Sequence, residues 1–364
     1  MKIVVIGTRG IPGIPGGVET HCEKLFSRLV VMGYDVTVVR RSSYITDDNR
    51  ITEFKGVKVK DIYAPRKKRF EAIIHSFLGV IYAKRQKADI LHIHAIGPAL
   101  VTPFARMLGL KVVMTHHGAD YNRQKWGRMA KFMLKTGERF AAKYANNIIS
   151  ISNVITDSLK EKYGRSENIR LIFNGVEKAR VIESTNYIES LGLEKQKYIL
   201  AIGRFVPEKG FDSLIRAYTK SNVRDKFKLV LAGDADHETE YSLGLKKLAK
   251  DNGVVLTGFI TGDKLAEVLS HPALFVLPSF HEGLPIALLE GMSYDLNVIV
   301  SNIPANTQVN LPSDDFFDPY NEEELTRKIE EKLSVPVKKR MYNLSPYNWD
   351  TIALQVAAVY KTMG

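Results

Sequence analysis

A single cysteine, Cys22, in a chain of 364 residues excludes an internal disulfide and fits a reducing compartment. A lone small thiol on a helix face is read as packing, not as a nucleophile. No run of about 18 apolar residues occurs, so no spanning helix is expected. The first residues pass straight into a β-rich segment without a charged leader or cleavage site, and no signal peptide is expected. The H-x-x-x-H, C-x-x-C and H-E-x-x-H spacings are missing, so neither a structural nor a catalytic zinc is expected. The first glycine loop is not a G-x-G-x-x-G, and no acidic residue follows the second strand, which disfavours a nicotinamide dinucleotide. No nucleic-acid module is recognisable.

Negative charge is scarce in one half. Residues 1–180 hold 32 Lys/Arg against 15 Asp/Glu, and residues 181–364 hold 20 against 25. A basic half joined to a mildly acidic one points to an anionic partner for the first half. The length exceeds one ordinary core, and two domains are expected.

What is present is alternation. A β-rich run at 2–6 leads into the loop GTRGIPGIPGG at 7–17, an amphipathic helix over 18–32 and a strand at 35–39. This βαβ unit places its glycines at the carboxyl end of a strand, where open α/β sheets bind ligands. Gly16 and Gly17, at the helix start, can admit a phosphate close to backbone. Strands follow at 57–61, 89–94, 112–115, 147–150 and 170–173, with helical segments between them. An apolar stripe at Phe70, Ile73, Ile74, Phe77, Leu78 and Ile81 is expected to pack on the sheet. Basic residues around it (the run 66–69, then Lys84, Arg85 and Lys87) fit an anionic membrane surface better than nucleic acid. On a helix over 124–144, Lys125, Arg128, Lys131, Lys135 and Arg139 share one face; Trp126, Met129, Met133 and Phe140 line a neighbouring one. His92 and His94 end one strand, and His116-His117-Gly118-Ala119-Asp120 follows the next. His117 in particular is placed to touch a ligand.

The pattern weakens over 177–197 and restarts at 198–202. Strands at 228–231, 254–256, 274–277 and 298–300 then alternate with helices, which gives a second mainly parallel sheet. Arg204 and Lys209 lie in the turn GRFVPEKG before a helix starting near Phe211. Two cations at a helix amino terminus suit a diphosphate. Gly258-Phe259 closes a strand where backbone can meet a base edge. In HEGLPIALLEGM, Glu282 falls in a turn, Pro285 in the first helical turn, and Glu290 about a turn and a half into the helix. Backbone N–H groups at Gly283 and Leu284 would face whatever fills the turn. A carboxylate such as Glu290 can accept two ribose hydroxyls. The closing segment 348–364 is helical in pattern.

GTRGIPGIPGGVE, THHGAD, FNGVE, GRFVPEKG, LAGD and HEGLPIALLEGM, in that order, resemble the retaining glycosyltransferases of family 4, in particular those that build bacterial surface polysaccharides. The resemblance spans roughly residues 1–335. It implies the GT-B fold, two Rossmann-like doubly wound parallel-sheet domains facing a cleft: 1–176 for the acceptor, joined by 348–364, and 177–347 for the donor. It also implies transfer of a sugar from a nucleoside diphosphate sugar to an acceptor hydroxyl of a lipid-linked or oligosaccharide glycan. Arg204 and Lys209 would bind the diphosphate, Glu290 the ribose, and Glu282, Gly283, Leu284 and Pro285 the sugar and phosphate. Gly16 and Gly17 would lie near the diphosphate, and His117 over the sugar. Arg9, Glu19, His94 and Asp120 would belong to the acceptor side. No cofactor and no metal are implied, since Arg204 and Lys209 would neutralise the leaving charge. A cytoplasmic protein, peripheral on the inner membrane face, is expected. The rivals are a GT-B-fold sugar-nucleotide epimerase, which should lack GRFVPEKG with the paired glutamates, and a non-catalytic nucleotide or glycan binder, in which those side chains should have decayed.

Overall fold

The structure is a computed structural model that describes residues 1–14, 16–46, 49–65, 68–122, 127–235, 237–337 and 339–364. Arg66, Lys67, Lys125 and Trp126, which figure in the basic stretches above, lie outside these, as do the side chains of 68–70 and 122. The chain divides into two compact units, Met1–Gly175 with Pro346–Gly364, and Val176–Ser345.

In the first unit the order is β1 (Lys2–Ile6), α1 (Gly17–Val31), β2 (Asp35–Arg41), β3 (Glu53–Phe54), β4 (Val57–Ile62), α2 (Lys68–Arg85), β5 (Ile90–His94), α3 (Thr102–Met107), β6 (Lys111–His116), α4 (Arg128–Tyr144), β7 (Asn147–Ser150), α5 (Asn153–Tyr163) and β8 (Ile169–Leu171). The second unit continues with α6 (Asn186–Ser190), β9 (Tyr198–Ile202), α7 (Phe211–Lys220), β10 (Lys228–Ala232), α8 (Glu240–Asp251), β11 (Val255–Gly258), α9 (Gly262–Ser270), β12 (Leu274–Leu277), α10 (Ile286–Ser293), β13 (Val298–Ser301), α11 (Pro304–Thr307), β14 (Phe316–Phe317) and α12 (Glu322–Leu333). The last helix, α13 (Trp349–Lys361), returns to the first unit.

The sheets run β3-β4-β2-β1-β5-β6-β7-β8 and β11-β10-β9-β12-β13-β14. Pairing is parallel throughout except at β3–β4, a short antiparallel edge. In each sheet the order reverses beside the first strand, at β1/β5 and at β9/β12, so the loops leaving β1 and β9 open at topological switch points. Those are the glycine loop and GRFVPEKG. The central strands β1, β5, β7, β9, β12 and β13 are buried almost throughout, as parallel strands under helices must be, whereas β4 and β8 nearer the edges of the first sheet expose residues. Ile3, Val5, Leu25, Phe26 and Trp349 belong to the core of the first unit, and Phe205, Phe211, Leu231, Val276 and Leu325 to that of the second. Thus α13 packs on α1 through Ile352, Val356 and Tyr360. The buried Tyr360 hydroxyl bonds His92 Nδ1 at 2.6 Å.

The stripe on α2 departs from expectation. Ile74, Phe77 and Ile81 stand 38%, 41% and 37% exposed, while Glu71, His75, Ser76, Gly79, Val80 and Ala83 form the buried face. Gly79 sets this rotation. A Cβ there would lie 2.8 Å from Ile6 Cγ2, so the helix approaches β1 through its small residues and turns the large ones outward. Phe77 meets Phe104 of α3 with ring centroids 5.3 Å apart, and α3 packs on α4. Along these helices Met107, Met129 and Phe132 are exposed beside Lys84, Arg85, Arg106, Arg128, Lys135 and Arg139. Among the described residues no helix is long and apolar enough to cross a membrane.

Candidate functional site

In the first unit the loop after β1 is organised from within. Gly7 has φ +98°, and a Cβ there would fall 2.1 Å from the His94 carbonyl oxygen. Thr8 Oγ1 and Arg9 N donate to Glu19 Oε1 at 3.2 and 2.9 Å, and Gly10 N donates to Thr8 Oγ1 at 3.1 Å. Gly16 caps α1 at φ 147°, and a Cβ there would lie 2.1 Å from Glu19 Oε2. The Glu19 carboxylate is therefore a buried clamp in the first turn of α1, where a negative charge also suits the helix dipole. This carboxylate is turned into the loop, where two donors need an acceptor. Arg9 is half-buried, with its guanidinium 5.3 Å from the Tyr44 ring centroid. The buried Arg40 ties the loop to the next strands, with Nε 2.7 Å from Asp61 Oδ1 and an N–H donated to Asn49 O at 2.6 Å.

Beside the loop lies a group of histidines. His94, fully buried, and the half-buried His117 share a hydrogen bond, Nδ1 to Nε2, of 2.9 Å. His21, on the buried face of α1, sets its ring centroid 4.9 Å from that of His117 and 5.6 Å from that of His94. Its Nδ1 donates to Asn174 Oδ1 at 2.9 Å. Burial, reinforced by the neighbouring rings, holds His94 and His117 neutral, and burial pulls His21 down to about 4. The loop that carries His117 is braced separately. His116 Nδ1 accepts from Gly118 N, and its Nε2 donates to Glu138 at 2.8 Å. Glu138 also accepts from the hydroxyls of Tyr121 and Tyr163. Burial works against its charge, but these donors hold the carboxyl below the ordinary carboxylate range. Asp120 opens the short turn Asp120–Asn122 and is half-buried.

In the second unit the loops leaving β9 and β12 are bolted together. Phe280 N donates to Glu208 O at 2.8 Å, and a Cβ on Gly210 (φ +64°) would lie 2.3 Å from Pro278 O. This close approach sets Lys209 Nζ 2.5 Å from Glu282 Oε1, which also accepts from Ser279 Oγ at 2.6 Å. Both side chains are largely covered, at 17% and 11% exposure. Burial opposes the Glu282 charge, but Lys209 overrides it and holds the carboxyl below its ordinary range. Lys209 is thus not a lone cation awaiting phosphate; one of its three N–H donors is engaged by Glu282. Ser279 is itself fixed from behind, its carbonyl accepting from Ser301 Oγ, which Asn306 Nδ2 reaches at 3.1 Å. Arg204 is half-buried at the start of the same loop.

Pro285 stands at the cap of α10, one position before the expected first turn, and its carbonyl accepts from Leu288 and Leu289. Gly283 and Leu284 precede it, with Leu284 buried and the Gly283 carbonyl 3.4 Å from Gln308 Nε2. Glu290 is half-buried within α10. Phe259 follows β11 with its side chain well exposed, on a turn made by Gly258 at φ +68°. The structure therefore brings Arg204, Lys209, Glu282, Gly283 and Leu284 onto two coupled loops. His21, Asn174, Glu138 and Ser279 were missed from sequence. Asn174 lies inside the FNGVE motif and Ser279 shortly before HEGLPIALLEGM, and these positions were the signal available.

Two parallel-sheet α/β units, each with an ordered loop at its switch point, define the GT-B fold. Comparison with known proteins agrees. Residues 15–180 match the model of Glycosyltransferase Family 4, and residues 183–347 that of Glycosyl transferases group 1. An uncharacterized glycosyltransferase of Methanocaldococcus jannaschii is 24% identical across 99% of this chain and 98% of its own. The UDP-Gal:alpha-D-GlcNAc-diphosphoundecaprenol alpha-1,3-galactosyltransferase of Escherichia coli is 27% identical across 80% of this chain and 77% of its own. Sucrose-phosphate synthase from Thermosynechococcus elongatus superposes with a TM-score of 0.84 at 20% identity, covering 100% of this chain and 98% of that one. The chain belongs to the family 4 glycosyltransferases. That membership favours transfer over epimerisation or passive binding.

Proposed function

We propose that the protein transfers a sugar, with retention of anomeric configuration, from a nucleoside diphosphate sugar to a hydroxyl of a lipid-linked glycan during surface-polysaccharide synthesis. The observation that carries this is the coupling of GRFVPEKG to the Glu282 turn through Lys209. It sets two cations and a carboxylate at strand ends beside a helix start. Arg204 takes the diphosphate. The two N–H groups of Lys209 that Glu282 leaves over take a phosphate oxygen. Glu290 accepts the ribose hydroxyls, and Gly283 and Leu284 offer backbone N–H groups. Glu282, fixed by Lys209 and Ser279, sits near the reacting carbon and stabilises positive charge there. His117 bonds a hydroxyl of the transferred sugar. The acceptor oxygen attacks the anomeric carbon on the face from which the diphosphate leaves; the carbon–oxygen bond to phosphate breaks, and the acceptor's proton passes to the leaving phosphate. Charge on that phosphate is stabilised by Arg204 and Lys209, which requires no metal.

The E. coli relative's name specifies a UDP-sugar donor and a diphosphoundecaprenol acceptor, which supports the same classes here. The exposed Ile74, Phe77, Met107, Met129 and Phe132 among cations support docking of the α2–α4 face on an anionic bilayer. The test is product analysis: NMR of the new linkage should show the donor's anomeric configuration. The double variant Arg204→Ala/Lys209→Ala, still folded, should lose turnover; normal turnover would sink the assignment. Flotation should favour anionic over neutral vesicles, and equal binding would remove the electrostatic part.

A further inference from the structure

We propose that His21, His94 and His117 form a site for one transition-metal ion of borderline softness, such as Zn²⁺, and that the bound ion silences transfer. The three residues come from α1, the end of β5 and the loop after β6. Each offers a ring nitrogen, and these nitrogens all lie within 4.8 Å of one another. No local spacing announces such a set, since 21, 94 and 117 meet only through the sheet.

The hydrogen bonds show where the lone pairs are. Asn174 Oδ1 can only accept, so His21 carries its hydrogen on Nδ1 and keeps a lone pair on Nε2. That Nε2 is buried and has no partner. A ring held by a carbonyl on one nitrogen and open on the other is the usual arrangement of a metal-ligating histidine. His94 Nε2 is buried without a partner and can hold the ring hydrogen when Nδ1 ligates. Between His94 Nδ1 and His117 Nε2 a single proton serves two nitrogens. Burial keeps all three rings neutral, the form that ligates. A pure packing role would leave His21 Nε2 unsatisfied at a cost of about 1–3 kcal/mol, and an ion relieves it.

Zinc–nitrogen bonds place two ligand nitrogens of a tetrahedral site about 3.3 Å apart. The His94–His117 pair already stands at 2.9 Å. The remaining contraction falls to His117, half-buried on a loop. Three ligands leave a fourth position for water. An ion held there would take His117 away from the sugar. This inhibitory part rests on the role proposed for His117 above; the site itself does not.

The test uses the full chain stripped of metal by chelation. Calorimetric titration with Zn²⁺ should give one site per chain, and Co²⁺ should give the intense visible absorption of a four-coordinate ion. His21→Gln and His94→Gln should each weaken Zn²⁺ at least tenfold, while His237→Gln, at an exposed position, should change nothing. The Co²⁺ spectrum of the unmodified chain decides even if a variant fails to fold. No stoichiometric binding, or a weak octahedral-type Co²⁺ spectrum, overturns the site and leaves the transfer reading standing. Binding with the expected spectrum but unchanged transfer refutes the inhibition and, with it, the role of His117.

Discussion

Lys209→Ala should destabilise the Val176–Ser345 unit by about 3 kcal/mol at neutral pH, the low end for breaking a buried ion pair by removing one partner. The pair is 2.5 Å long and nearly covered, and the loss leaves the Glu282 carboxylate with Ser279 Oγ as its remaining bonded donor. For a unit of this size that is roughly 6–12 °C in Tm. Glu282→Gln on the Lys209→Ala background should recover much of it, because no buried charge then remains. The pH dependence has a definite sign. In the unmodified protein the Glu282 carboxyl lies below its ordinary range, so its contribution is present above that range and is lost as pH falls through the folded value. In Lys209→Ala, burial persists without the main opposing charge, so the carboxyl rises above its ordinary range. Acidification from pH 7 to about 4 should then shrink the variant's penalty. Differential scanning calorimetry at the two pH values measures this. A variant melting within about 1 °C of the unmodified protein, or one with the same penalty at both pH values, would refute the reasoning.

Gly16→Ala should disorder the first loop, since a Cβ would meet Glu19 Oε2 at 2.1 Å at φ +147°; proteolysis within 7–17 should quicken, and an unchanged rate would speak against the clamp. Glu19→Gln keeps the acceptor oxygen but loses the charge, and should cost about 1–3 kcal/mol by chemical denaturation. His75 is buried and lowered to about 4 by burial and the nearby Arg41. Its folded value lies below its unfolded one, so stability should fall by about 1.4 kcal/mol per pH unit as pH drops from 6.5 towards 4; His75→Leu should flatten that slope in urea titrations, and an unaltered slope would contradict it. Met129→Ser with Phe132→Ser should cut recovery on anionic vesicles several-fold while leaving Tm nearly unchanged, since both side chains are exposed.

The βα alternation of both units was legible because most of the parallel strands are apolar runs and their helices are periodic. The end of β1 at Ile6 and the start of α7 at Phe211 stand where the residues suggested. The two-residue edges β3 and β14 were not legible, since such strands carry no period. The α2 stripe misled because Gly79 outweighs it: close helix–sheet approach goes to the smallest residues, not the most apolar. At the site, motif residues were readable but their pairings were not. Lys209 and Glu282 are 73 positions apart, and their bond depends on Gly210 against Pro278. Nothing local says that Thr8 and Arg9 take Glu19 as their acceptor. The histidine group is invisible along the chain because a helix, a strand end and a loop far apart in sequence deliver it.

Donor binding by the second unit tests the central claim most directly. UDP, GDP, ADP and TDP, alone and as sugars, should be titrated while Tm is followed, for the unmodified protein and for Arg204→Ala and Glu290→Gln. A ligand at 100 times its Kd adds about 2.7 kcal/mol, or roughly 5–10 °C for this unit. The account predicts such a rise with at least one nucleotide, largely lost in Arg204→Ala and reduced in Glu290→Gln. A rise that survives in Arg204→Ala, or none with any nucleotide, would contradict it.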